Sequence, residues 1–448
     1  MDPFQKLDQD VVFQLLSEAP NAETILSCIT ASPFIFRVFQ EFKERLLRRL
    51  VAQEDLEGVL GIAQANLESS RLQQRGIPKK QALKWMSEHD ALLKNVSLPL
   101  DQISMNAFVQ MARIHQDIKY FAGQFIYKRI PWLDTTDPVT SLNERYVEIS
   151  RVEMMRLYRA IHRYAIHGNL FAYEDTRTIA KANRLCPQDQ ASWFLCRFTA
   201  WEVEEVACIN DFMADIINKK WNEVRPHDFH YRTSPNPHMS HWELVHGPFN
   251  CPRRWLKAHF AALALPAFRE FASESGPSLQ AQVRAILDAA PSPAQLACVP
   301  NNCTHFLDSL ADALRQFPYP LNAARAEDQM LNFWGAQRDG LRVRFQRDTL
   351  DLPNSAWVWT NGFRPCDVYI NPLWRCTASN LEIVSGLRRC GYVFWDVQRL
   401  DAMLKMFNDV GDEESSVLLQ MDLDPEVKMR VEERISRYMY RITGAVPF

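Results

Sequence analysis

Glycine is scarce in this chain, with 14 residues against 25 prolines, and neither G-x-G-x-x-G nor G-x-x-x-x-G-K-[S/T] occurs. A glycine-rich phosphate cradle is therefore not expected. The ten cysteines include no C-x-x-C, and the nearest pair is Cys298 and Cys303. That spacing argues against a zinc ribbon and for thiols buried as small hydrophobes in a reduced compartment. The chain has no H-E-x-x-H and no G-x-S-x-G, so the usual signatures of a zinc protease and a serine hydrolase are missing. No apolar run reaches the roughly 18 residues of a bilayer span. The opening MDPFQKLDQD lacks the basic and apolar regions of a signal peptide. An excess of one charge is also lacking. With 51 Lys and Arg against 54 Asp and Glu, the formal net charge is −3, so any nucleic acid must be held by a local patch. These absences predict a cytoplasmic protein with no membrane contact, no metal and no cofactor.

What is present is mostly helical pattern. The segment from Asp10 to Glu18 carries Val12, Phe13, Leu15 and Leu16 and stops at Pro20. Asn21 is placed to cap the next helix, which has Ile25, Cys28 and Ile29 on one face. Ser32-Pro33 supplies a cap and a first-turn proline for a third helix, with Phe34, Val38, Phe42 and Leu46 inward. Amphipathic helices continue to about residue 130, and a second helical block runs from Ser141 to Ala272. In the last third, AWVWT (356–360) and DVYI (367–370) read as strands near the Asn361-Gly362 turn. GYVFWD (391–396), with apolar residues on both faces, reads as a packed central strand or core hairpin. The predicted fold class is mainly α (α+β): multi-helical, with a small mixed α/β C-terminal part. Predicted divisions are 1–50, a helical core domain over 51–272, a looser connector over 273–299 and an α+β region over 300–448.

The segment LDQDVVFQLLSEAPNAETILSCITASPFIFRVFQ resembles the F-box-like N-terminus of a large family of fungal hypothetical proteins. RVEMMRLYRAIHRYAIHGNLF, FTAWEVEEVACINDF and LRRCGYVFWDVQRLD resemble later blocks of that family. Leu7-Asp8-Gln9 stands where an F-box usually begins with Leu-Pro. The chain is also similar to the arginine-containing cyclodipeptide synthases found among such sequences. That resemblance implies a transferase of secondary metabolism that joins two amino acids carried on aminoacyl-tRNA. The F-box resemblance implies instead an adaptor that docks a Skp1-like protein and recruits targets to a ubiquitin ligase.

The residues themselves nominate a site. Thr199 and Glu202 fit a T-x-x-E capping box that opens the helix WEVEEVACINDFMADII. At 100° per residue, Glu202 and Glu205 fall on the apolar arc with Trp201, Cys208, Ile209 and Phe212, while Glu204, Asp211 and Asp215 fall on the opposite, wet side. A carboxylate on a buried face has its pKa set by desolvation and cationic neighbours, as a general base or a cation binder requires. Glu205 and Glu202 are the catalytic candidates, with His241; the structural alternative is that Glu202 only caps the helix and Glu205 only pairs with an arginine. Arg156, Arg159, Arg163 and His167 form a stripe opposite Leu157, Ile161 and Tyr164. The arginines are a tRNA phosphate face, helped by Arg253 and Arg254, or a solvated helix face, or partners of the acidic helix. Trp201, Trp242 and His167 are the candidate substrate contacts.

HDFHYRTSPNPHMSHWELVH, from His227 to His246, holds five of the chain's eleven histidines. His227/His230 and His238/His241 are i, i+3 pairs, but Pro226, Pro235, Pro237 and Pro248 make the stretch a turn-rich loop without a fixed ligand face. A metal site is the least favoured reading; the stretch is either a surface loop with ordinary hydrogen bonding or a loop whose histidines and Trp242 line or lid a pocket.

Overall fold

The computed structural model describes residues 2–72, 77–129, 149–171, 187–224 and 265–289, together with 388, 391–396, 398 and 399. Among these residues every regular element is a helix. The segments AWVWT and DVYI lie outside the described residues. GYVFWD is described and is not a strand: Tyr392–Phe394 is a single 3-10 turn.

The first three helices form where the local signals put them. α1 (Gln9–Glu18) is capped by Asp8, and α2 (Ala22–Ala31) by Asn21, whose side chain accepts the Thr24 N–H at 2.9 Å. α3 (Pro33–Gln53) starts with Ser32 as cap and Pro33 at its first position, where the missing N–H costs nothing. It bends at Phe42 and runs past residue 50, and Leu46, Leu47, Leu50 and Val51 enter the same core as the later helices.

α4 (Leu60–Ser70), α5 (Lys79–Glu88) and α6 (Asp90–Leu93) lead into the long α7 (Met105–Arg129). α8 (Arg151–Phe171) is the centre of the bundle, with α4 and α7 against it on one side and α10 (Ala200–Val224) on another. The short α9 (Pro187–Trp193) precedes α10, and α11 (Leu265–Ser273) and α12 (Gly276–Ala289) pack beside α10.

α8 is buried without a break from Met155 to Tyr164. Yet that run carries three arginines and a histidine, so each polar group needs an interior partner. On the side toward α4 and α7 the α8 groups find uncharged partners. Asn169 Nδ2 donates to Asn66 Oδ1 at 3.1 Å and to Ser69 Oγ at 2.9 Å, which turns the Asn66 amide nitrogen toward His162 Nδ1 at 3.0 Å. With Nδ1 accepting, His162 carries its proton on Nε2, which faces His115 Nδ1 at 3.2 Å. Burial pushes both rings well below the ordinary histidine pKa, His115 to about 3, so the pair is neutral.

The segment around 391–396 closes the bundle against α8 and α10. Tyr392, Val393, Phe394 and Trp395 are all buried there. Gly391 has φ +65°, and a Cβ on it would stand 2.6 Å from the Phe125 ring, so the turn requires glycine on both counts.

Candidate functional site

The charged side of α8 faces α10 and not solvent. Arg156, Arg159 and Arg163 are 1%, 2% and 1% exposed, which removes them as a phosphate-binding surface. The same burial removes the solvated helix face, and of the roles open to them in the sequence, pairing with the acidic helix is the one the packing realises. The spacing showed that the arginines share one face of α8, but a helix at the centre of the bundle turns that face to another helix.

Glu202 is anchored on both of its oxygens. Oε2 accepts the Thr199 N–H and hydroxyl, each at 3.0 Å, which is the glutamate half of the capping box, and Oε1 accepts from Arg163 with Arg159 3.6 Å away. Burial alone would raise its pKa, but the two guanidiniums and the Thr199 N–H outweigh it and hold the group at about 2. Glu202 is therefore a fixed anion with little capacity to exchange a proton.

Glu205, one turn on, is 1% exposed and its Oε2 has no hydrogen-bond partner among the described residues. Arg163 Nη1 is 3.5 Å away, too long for a good hydrogen bond. Burial raises the Glu205 pKa, Arg159 and Arg163 pull it back, the neighbouring Glu202 charge pushes it up again, and the group sits at about 7. Arg163 Nε and Nη1 likewise lack hydrogen-bond partners among the described residues, and the guanidinium lies over the Phe198 ring at 4.6 Å. The cluster thus holds one carboxylate poised to titrate near neutrality beside unused N–H donors.

Glu204 is not on a wet side, contrary to the wheel. It is buried and takes a two-pronged contact from Arg388, with Nε and Nη2 at 2.6 and 2.7 Å from its two oxygens, while the Tyr392 hydroxyl donates to it at 3.2 Å. Asp211 and Asp215 are half-buried further along the same face. Burial raises the Asp211 pKa, and Asp215 pairs with Arg129.

His167 is not beside the carboxylates. It is buried among Phe171 and Phe194 with Nε2 3.0 Å from Gln190 Oε1, and burial takes its pKa to about 3. Trp201 is buried at the start of α10. His241, Trp242, Arg253 and Arg254 lie outside the described residues, as does the whole His227–His246 stretch. Among the described residues no group of three or more His, Cys, Asp or Glu is arranged to hold a metal ion.

Sequence reasoning missed the contributors from 388–399. Arg399 Nε and Nη2 fork onto Glu153 at 2.7 and 3.0 Å, with both residues buried. The only local signal was the juxtaposition of Arg388 with the apolar GYVFWD, and nothing in it names the distant carboxylate partner.

The chain matches no family model, no curated protein and no solved structure.

Proposed function

We propose that the chain is an enzyme that condenses two amino acids, delivered on tRNA, into an arginine-containing cyclodipeptide, with Glu205 as its general base. One observation carries this reading: a fully buried carboxylate with an unpartnered oxygen and a pKa of about 7. Holding the carboxylate that far above its ordinary value costs about 3 kcal/mol when it ionises. A glutamine would avoid the cost, and perturbed groups of this kind concentrate where proton transfer is used.

In the proposed reaction the α-amine of one aminoacyl group attacks the ester carbonyl of the other. The C–N bond forms, Glu205 accepts the amine proton, and the unpartnered Arg163 N–H groups favour the oxyanion. The C–O bond to the terminal ribose then breaks, and the proton passes from Glu205 to the departing oxygen. In the second step the free α-amine of the dipeptidyl ester attacks the remaining ester carbonyl: the ring C–N bond forms, the C–O bond to the second ribose breaks, and Glu205 again takes the amine proton and passes it to the departing oxygen. Glu202, tied to Thr199 and Arg163, orients the guanidinium. With the α8 arginines buried, tRNA contact falls to Arg253 and Arg254, and His241 and Trp242 remain the proposed substrate-side residues.

Purified protein incubated with arginyl-tRNA and a second aminoacyl-tRNA tests this. Deacylated tRNA and a cyclic dipeptide are expected, and acylated tRNA persisting at the rate of spontaneous hydrolysis contradicts it.

A second reading, an adaptor for a ubiquitin ligase, is favoured by Leu7, Val11, Leu15 and Phe36, apolar residues exposed on and around α1 to α3. Capture of a Skp1-like protein by the wild type, and its loss in Leu15→Glu, is the matching test.

A further inference from the structure

Residues 388–399 bridge the two helices of the charged cluster. At one end the planar fork of Arg388 grips both oxygens of Glu204 on α10, with the Tyr392 hydroxyl as a third donor. At the other end Arg399 forks onto both oxygens of Glu153 on α8, and the Asp396 N–H adds a contact to Glu153 at 3.1 Å. Arg399 is itself set by its own N–H, which donates to Asp396 Oδ1 at 3.0 Å. Between the two forks Tyr392, Val393, Phe394 and Trp395 are buried, so the described middle of the bridge is packed into the core.

The positions of the two gripped carboxylates matter. Glu204 directly precedes Glu205, and consecutive helical residues project about 100° apart. Fixing one therefore fixes the rotation of α10 that aims the other. Glu153 lies three residues before Arg156, on the same face of α8 as the buried arginines. A two-pronged guanidinium–carboxylate contact constrains rotation as well as distance, which a lysine ammonium does not.

We propose that Arg388 is a positioning residue, which acts through Glu204 to hold Glu205 buried and facing Arg163 at 3.5 Å, and that Arg399 holds α8 in the same way through Glu153. This rests on the reading of Glu205 as the base. Freeing the Glu204 fork lets α10 turn, admits water to Glu205 and weakens the burial that keeps it protonated.

The experiment follows the Glu205 carboxyl directly. Isotope-edited infrared spectra of the full chain are recorded from pH 5 to 9, and the protonated carboxyl band missing in Glu205→Gln is assigned to Glu205. In Arg388→Ala the band should disappear at least one pH unit lower than in the wild type. Guanidinium at low millimolar concentration should restore it, and Arg388→Lys should stay shifted. A folded Arg388→Ala whose Glu205 titrates as in the wild type overturns the proposal. Should Arg388→Ala not fold, Tyr392→Phe and Arg388→Lys decide, and an unmoved titration in both overturns it equally. The failure of the underlying reading looks different: there the wild type itself shows no Glu205 titration near neutrality.

Discussion

Arg163 Nη1 stands 3.5 Å from Glu205 Oε2, inside ion-pair range but without a good hydrogen bond, while the same guanidinium is hydrogen-bonded to Glu202. Two carboxylates one helical turn apart, facing the same arginines, thus end up at about 2 and about 7. Both are desolvated, and the difference lies in what answers that burial: the Arg163 and Arg159 charges, with hydrogen bonds from Thr199 and Arg163, outweigh it at Glu202, whereas at Glu205 the arginines do not, and the Glu202 charge adds to it. Glu202 is solvated by Thr199 and Arg163, whereas Glu205 is buried without an equivalent shell. Environments that drive neighbouring acids apart are how a fold separates an anchor from a proton acceptor.

Removing the shared guanidinium should be costly. Arg163→Met leaves Glu202 buried without its main partner, and breaking one side of a buried pair typically costs about 3–5 kcal/mol. Urea denaturation at pH 7 reads the loss. A change under about 1 kcal/mol would mean that the arginine does not carry the cluster.

Stability should fall as acid is added, beginning near pH 6.5. His115, His162 and His167 are kept neutral by burial, His115 and His167 down to about 3. Free histidines protonate near 6.5, so below that pH the unfolded chain binds more protons and folding loses about 1.4 kcal/mol per pH unit for each group. Glu205 works the other way. Folded, it keeps a proton up to about 7, so between pH 4.5 and 7 it gains stability as pH falls and offsets roughly one of the three histidines. Glu205→Gln should therefore steepen the acid side of the profile while raising stability at pH 8. Thermal melts from pH 4.5 to 8 check both slopes, and parallel profiles for the two proteins would contradict the account.

Two glycines should respond oppositely to alanine. At Gly391 the left-handed φ costs about 1–2 kcal/mol for any L side chain, and the new Cβ meets Phe125. At Gly123, inside α7, an added Cβ meets nothing within 4 Å, and the helix should gain up to about 1 kcal/mol. Paired melting curves test the contrast. A neutral Gly391→Ala would mean that the 391–394 turn is not built as described.

What the sequence made legible was local. Asn21 and Ser32-Pro33 act through backbone groups within three residues and form as read, and of the Thr199–Glu202 box the glutamate side forms. The arginine period on α8 was also visible, because i, i+3 and i+7 spacing needs no partner to be noticed. Its destination was not. An amphipathic pattern says that two faces differ, and only the packing says whether the polar one meets water or another helix. Glu204 was assigned to solvent for that reason, since its partner Arg388 is far away in the chain. GYVFWD was rightly read as core, but alternation could not distinguish a strand from a 3-10 turn fixed by the left-handed Gly391.

The most direct measurement is the wild type and Glu205→Gln expressed in a bacterial host, with mass spectrometry for cyclic dipeptides against an empty vector. The account predicts an arginine-containing cyclodipeptide from the wild type and its loss from the variant, with matching circular dichroism spectra. Equal product from both would show that Glu205 is structural, and no product from soluble, folded wild type would contradict the proposed activity itself.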